Sequence, residues 1–217
     1  MSNSLYQKEN LKSLNQLKNL VPNQLHAFSE FNSNVLKEGA LTRKEKELIA
    51  IAIAHVTECP YCIDIHTRSA KSEGATLEEL VEAVFVVSGV EAGGVVSHST
   101  HITNALNPDA DDALYGRSNL KNINYLKKGS PDGYKAYSEF SSSVMKEGQL
   151  STKFKEIIAV AVAHATQCPY CIEIHVKNAE KNGASHEELS EAILVASALL
   201  AGGSYAHITN LIQAYND

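Results

Sequence analysis

The run Cys59-Pro60-Tyr61-Cys62-Ile63-Asp64-Ile65-His66 returns 109 positions later as Cys168-Pro169-Tyr170-Cys171-Ile172-Glu173-Ile174-His175. Proline is tolerated in the first turn of a helix and not in its interior. A helix therefore begins at Cys59 or Pro60, runs to about Ser72 and stops at Gly74. The second copy predicts the same element from Cys168 onward. Residues on either side repeat too. Tyr6 matches Tyr115, Pro22 matches Pro131, Phe31 matches Phe140, Glu47 matches Glu156, Gly93-Gly94 matches Gly202-Gly203 and His98 matches His207. The chain is a duplication with a boundary near residue 108, giving repeats 1–108 and 109–217. Two copies are too few for a solenoid, so two related lobes sharing one interface are expected.

Working outward along one repeat, Leu11, Leu14, Leu17 and Leu20 suggest a short amphipathic helix closed by Pro22. Leu25 to Lys37 reads as a second helix, stopped by Gly39. Thr42 and Glu45 form a capping box for a third helix through His55. That helix is apolar nearly all round after Glu47, as a buried central helix would be. Thr76 and Glu79 cap a fifth, which Gly93-Gly94 should interrupt before a last helix from Val95 to Ala105. No segment shows the period of a strand, so the fold class is all-α.

The 217 residues carry a net charge of −6 and no basic block, which argues against a nucleic-acid surface. Leu48–Ala54 and Ile157–Ala163 are too short to span a bilayer, so no membrane association is expected. The first residues show no signal peptide, and a reducing, cytoplasmic setting is the expectation. Paired cysteines in such a setting are catalytic, redox-sensing or metal-binding.

All four cysteines lie in the two CxxC pairs. At a helix N-terminus, free N–H groups and the helix dipole lower a thiol pKa. Two intervening residues in one turn suit a local disulfide, so each repeat is expected to close its own. His66 and His175 stand four residues past the second cysteine on the same face and can take its proton. Glu47 and Glu156, twelve residues before the first cysteine, are carboxylates on an apolar helix that need a partner, and the histidine could be it. Glu58 becomes Gln167, so that side chain is not expected to be essential. Tyr61 reads as a wall of the site. His55, His98, His164 and His207 are left between packing and function. A zinc site from Cys59, Cys62, His66 and a further histidine is the rival reading of the sulfurs.

Glu47, then Cys-x-x-Cys-x-x-x-His, resembles the active-site pattern of alkyl hydroperoxidase D (AhpD)-like proteins within the carboxymuconolactone decarboxylase superfamily. The resemblance covers about residues 31–101 and 140–210. It implies a thiol-dependent peroxidase or disulfide oxidoreductase without metal or other cofactor. Cys62 and Cys171 would be the more reactive thiols, and Cys59 and Cys168 would resolve them. His66 with Glu47 and His175 with Glu156 would form proton relays. The implied partners are a peroxide and a dithiol or thioredoxin-like electron donor. Assembly as a trimer is implied, with a dimer as the alternative, through a surface near Val84, Phe85 and Val87. A redox sensor or interaction protein, and a decarboxylase-type activity on a small molecule, remain the alternative functions.

Overall fold

The computed structural model describes residues 6–110 and 113–216. It is all-α. The order is α1 (Leu17–Leu20), α2 (Pro22–Leu36), α3 (Arg43–Val56), α4 (Pro60–Ser72), α5 (Leu77–His98) and α6 (Thr100–Leu106), followed by α7 (Ile123–Gly129), α8 (Pro131–Val144), α9 (Thr152–Ala165), α10 (Pro169–Lys181) and α11 (His186–Asn216). Short 3-10 segments, Lys8–Gln16 and Arg117–Asn122, precede α1 and α7.

Local chemistry sets the boundaries. The Thr42 hydroxyl accepts the Glu45 amide at 3.2 Å, and the Glu45 carboxylate accepts the Thr42 amide at 2.8 Å, so α3 starts as a capping box. Thr76 and Glu79 do the same for α5. In the second repeat Phe154 stands where Glu45 did and is buried in the core, while Glu147 accepts the Thr152 amide instead. The first short helix stops at Leu20, just before Pro22, as expected. Pro22 also opens α2 at its first position, the place where a missing N–H costs nothing. Gly93-Gly94, by contrast, does not interrupt α5. The helix runs through both glycines to His98, and in the second repeat α11 continues unbroken through Gly202-Gly203 to Asn216.

The centre of the molecule is the pair α3 and α9. Residues from Leu48 to Ala54 and from Ile157 to Ala163 have at most 1% of their surface exposed. Around them the repeats are interleaved. Helix α5 packs on α8, α9 and α10 of the second repeat, and α11 packs on α2, α3 and α4 of the first. The two copies thus bury one shared core.

Two buried lysines tie the exchange. Lys46, 2% exposed, donates to the carbonyls of Val35 and Lys37 and pairs with Glu191 of α11 at 3.0 Å. Lys155 donates to the Lys146 carbonyl and pairs with Glu82 of α5 at 2.9 Å. Each glutamate also accepts two backbone amides of the loop before the lysine's helix, Ala40 and Leu41 for Glu191, Gln149 and Leu150 for Glu82. A Cβ on Gly39 would lie 2.1 Å from Glu191, and one on Gly148 2.3 Å from Glu82, so glycine at these two matched positions leaves room for the carboxylates.

The continuous stretches 77–106 and 186–216 are long and apolar enough to cross a bilayer by length and composition. One face of each lies in the shared core, and Phe85, Val95, Leu194 and Leu211 are exposed on the other. Val87, expected on an assembly surface, is 3% exposed and belongs to the core.

Candidate active site

Each CxxC begins a helix as its proline requires. Cys59 is the N-cap of α4 and Cys168 of α10. The Cys62 amide donates to the Cys59 sulfur at 3.3 Å, and the Cys171 amide to the Cys168 sulfur at 3.2 Å. The preceding residues, Glu58 (φ 51°) and Gln167 (φ 56°), both sit in the left-handed region, where a side chain costs about 1 kcal/mol. The side chain changes between repeats and the strained turn does not. It is the backbone that swings each cysteine from the end of one helix onto the cap of the next.

All four cysteines are thiols, each at most 5% exposed. In the second repeat the Cys171 thiol, hydrogen-bonding to Cys168, brings the Cys168 pKa down to about 5 against the opposing effect of burial. The Cys171 amide and the nearby His98 and Ser97 act in the same sense. Cys171 moves upward, through its hydrogen bond to Cys168 and through burial. Burial, then Cys59, raises Cys62 likewise. In the reduced second pair the negative charge therefore rests on the capping sulfur. The hydrogen bond from the Cys171 thiol is the main cause, and the helix-start amide of Cys171 adds to it.

Glu47 is 1% exposed and lies behind this pair. Its Oε2 is 2.7 Å from His66 Nδ1, its Oε1 accepts the Ser69 hydroxyl at 2.8 Å, and Arg43 approaches at 3.4 Å. Glu156 is 2.7 Å from His175 Nδ1 and accepts from Asn178 at 3.1 Å. Nδ1 is engaged in both histidines, so Nε2 is the ring nitrogen left to exchange a proton with a thiol. In each repeat the Glu–His pair forms, and its histidine lies on the helix that the CxxC begins.

Each site is completed by the opposite repeat. A Cβ on Gly94 of α5 would lie 4.0 Å from Cys171 Sγ, and the Ser97 hydroxyl is 3.8 Å from that sulfur. His98 packs edge-on against Tyr170, and His207 of α11 against Tyr61, with ring centroids 6.3 and 5.9 Å apart. His207 also shares a surface recess with Cys59 and Gly203. His98 and His207 therefore belong to the sites, whereas His55 and His164 turn Nδ1 to carbonyls of their own helices, Ile51 and Val160. Among the described residues, no three His, Cys, Asp or Glu side chains converge as a metal-ligating set.

The carboxymuconolactone decarboxylase family model matches twice, over residues 22–105 and 131–214. The chain belongs to that family. An uncharacterized protein encoded in the cox locus of Paracoccus denitrificans is 45% identical over 82 residues, which are 38% of this chain and 74% of the relative. An uncharacterized protein of Cupriavidus necator is 29% identical over 92 residues, 42% of this chain and 80% of the relative. Both relatives are therefore about one repeat long. A solved structure from Burkholderia xenovorans, provisionally named a gamma-carboxymuconolactone decarboxylase subunit, superposes with a TM-score of 0.70 at 25% identity. The match covers 96% of this chain and 95% of that one, so this family fold also occurs at two-repeat length.

Proposed function

We propose that this family member is a thiol peroxidase that reduces hydroperoxides at its CxxC pairs and is recycled by an external dithiol. The observation that carries the reading is the buried Glu–His pair behind a helix-capping CxxC, present in both repeats at 2.7 Å. A carboxylate on Nδ1 fixes the imidazole tautomer and supports a proton on Nε2, as in triads that activate nucleophiles.

In the second repeat the sulfur lining the open cavity is Cys171. His175 takes its proton, and the sulfur attacks the terminal oxygen of the peroxide. The O–O bond breaks, the electron pair leaves on the other oxygen, and Cys171 becomes a sulfenic acid. The Cys168 thiolate then attacks that sulfur, displacing hydroxide, which leaves as water after protonation. The resting charge on the cap sulfur suits this resolving step. The disulfide is returned to two thiols by a dithiol or thioredoxin-like donor in a reducing compartment such as the cytoplasm.

Peptide mapping after one equivalent of peroxide per site tests the reading. Cys59–Cys62 and Cys168–Cys171 disulfides should form, and a Cys62–Cys171 link as the major species would contradict it. A decarboxylase reading draws support from the provisional name of the Burkholderia xenovorans relative, and carbon dioxide release from a carboxymuconolactone would favour it.

A further inference from the structure

The two sites share their CxxC and Glu–His pairs and differ in the space in front of them. A cavity of about 530 Å3 opens between α5 and α8 and reaches Cys171, His175 and Glu156. It has the size of a small-molecule site. Val90 and Ile123 give it an apolar side, and Tyr134 and Tyr137 line the α8 side. In the first repeat the corresponding space lies between α11 and α2. There Tyr205 stands in register with Val96 and Phe28 with Tyr137. The two rings stack with centroids 4.6 Å apart, across the gap that the cavity occupies in the second repeat.

Tyr137 is the other difference. Its hydroxyl lies over Gly93, 3.3 Å from where a Cβ would be, just as the Cys171 sulfur lies over the adjacent Gly94. Two neighbouring glycines of α5 thus seat a phenol and the reacting thiol side by side. Burial raises the Tyr137 pKa above its ordinary value despite a hydrogen bond with Ser141, so the phenol keeps its proton. Phe28 offers no such group.

Resting on the peroxidase reading, we propose that the repeats divide substrates by size. The second site takes bulky organic hydroperoxides with Tyr137 as proton donor, and the first admits only small ones. The organic group occupies the cavity, and its peroxide end meets Cys171. As sulfur bonds to the terminal oxygen and the O–O bond breaks, the electron pair goes to the RO oxygen. That oxygen takes the Tyr137 proton and leaves as an alcohol, and the phenolate regains a proton from solvent. Cys168 and the external dithiol complete the two-electron cycle as before.

The test follows thiol oxidation of prereduced protein by hydrogen peroxide and by cumene hydroperoxide. Cys62→Ser leaves only the second site competent to attack, and Cys171→Ser only the first. The ratio of the cumene hydroperoxide rate to the hydrogen peroxide rate should be at least tenfold higher in Cys62→Ser. Val96→Tyr added to Cys62→Ser should collapse that ratio. Tyr205→Ala added to Cys171→Ser should raise it, a gain that misfolding cannot imitate. Tyr137→Phe should slow the second site about tenfold with cumene hydroperoxide. Equal ratios at the two sites, with both oxidised by hydrogen peroxide, overturn the division while sparing the peroxidase reading. An undiminished rate in Tyr137→Phe overturns the donor role. Failure of both sites to outpace a free thiol towards hydrogen peroxide overturns both readings together.

Discussion

Cys168 shows what a neighbouring thiol and a helix start do to a cysteine. As the N-cap of α10 it accepts from the Cys171 thiol and then the Cys171 amide, which bring its pKa down to about 5. Its thiolate fraction is high above that value and falls as pH drops through it. Alkylation of Cys168 should therefore stay fast at pH 6 to 7, where a free thiol of pKa ~8.5 is largely protonated. Cys171, shifted upward, should react slowly over the same range, and site-resolved labelling across pH reads both. Glu156→Gln keeps the size of the side chain and removes its charge. Peroxide oxidation of Cys171 should fall by about 10²-fold, the lower end of what a positioned acid–base contributes, with the helical circular dichroism spectrum retained. An unaltered rate would return Glu156 to a structural role. The eight site residues were legible in the sequence because duplication printed the pattern twice. Ser97, Tyr137 and the roles of His98 and His207 were not, since they reach the sulfurs only through packing between repeats. The Tyr137/Phe28 and Ser97/Ala206 mismatches were the signal that could have marked them.

At the scale of elements, α5 and α11 carry the exchange between repeats, and the Lys–Glu pairs hold it. Removing one partner of a buried pair leaves an uncompensated charge, which costs about 3–5 kcal/mol. Glu82 and Glu191 keep roughly a quarter of their side-chain surface in water, so about 3 kcal/mol is expected for Glu191→Ala or Glu82→Ala. Urea melts followed by circular dichroism check this, and a loss under 1 kcal/mol would show that the loop amides find other partners. Helix starts were readable at Thr42, Cys59 and Thr76, where side chains cap their own helices. The continuity of α5 through Gly93-Gly94 was not. Glycine is a helix breaker in isolation, but here the lack of a Cβ at Gly93 eases the approach of Tyr137, and packing against α8 and α10 outweighs the local cost. Gly93 is better understood as a point of close approach than as a stop.

Across the whole molecule, the duplication has built two sulfur sites on one core, each finished by the other repeat. Isolated repeats would expose the faces of α3, α5, α9 and α11 that meet in that core. The exposed apolar residues Phe85, Val95, Leu194 and Leu211 extend the argument to further copies. We propose assembly through them, with three chains supplying six repeats or two chains forming a dimer. Light scattering at low micromolar concentration should then give a multiple of 23.5 kDa, and a mass of one chain would contradict it. The duplicated layout and all-α class were plain from the sequence. The interleaving was not, because a repeat pattern fixes what each copy contains and is silent on which copy packs against which. If the CxxC pairs, backed by their Glu–His pairs, turn over peroxide, dithiol-coupled consumption of hydrogen peroxide should separate wild-type protein from the Cys62→Ser/Cys171→Ser double variant. Sustained turnover is expected in the first and none above background in the second, and equal rates in the two proteins would refute the peroxidase function.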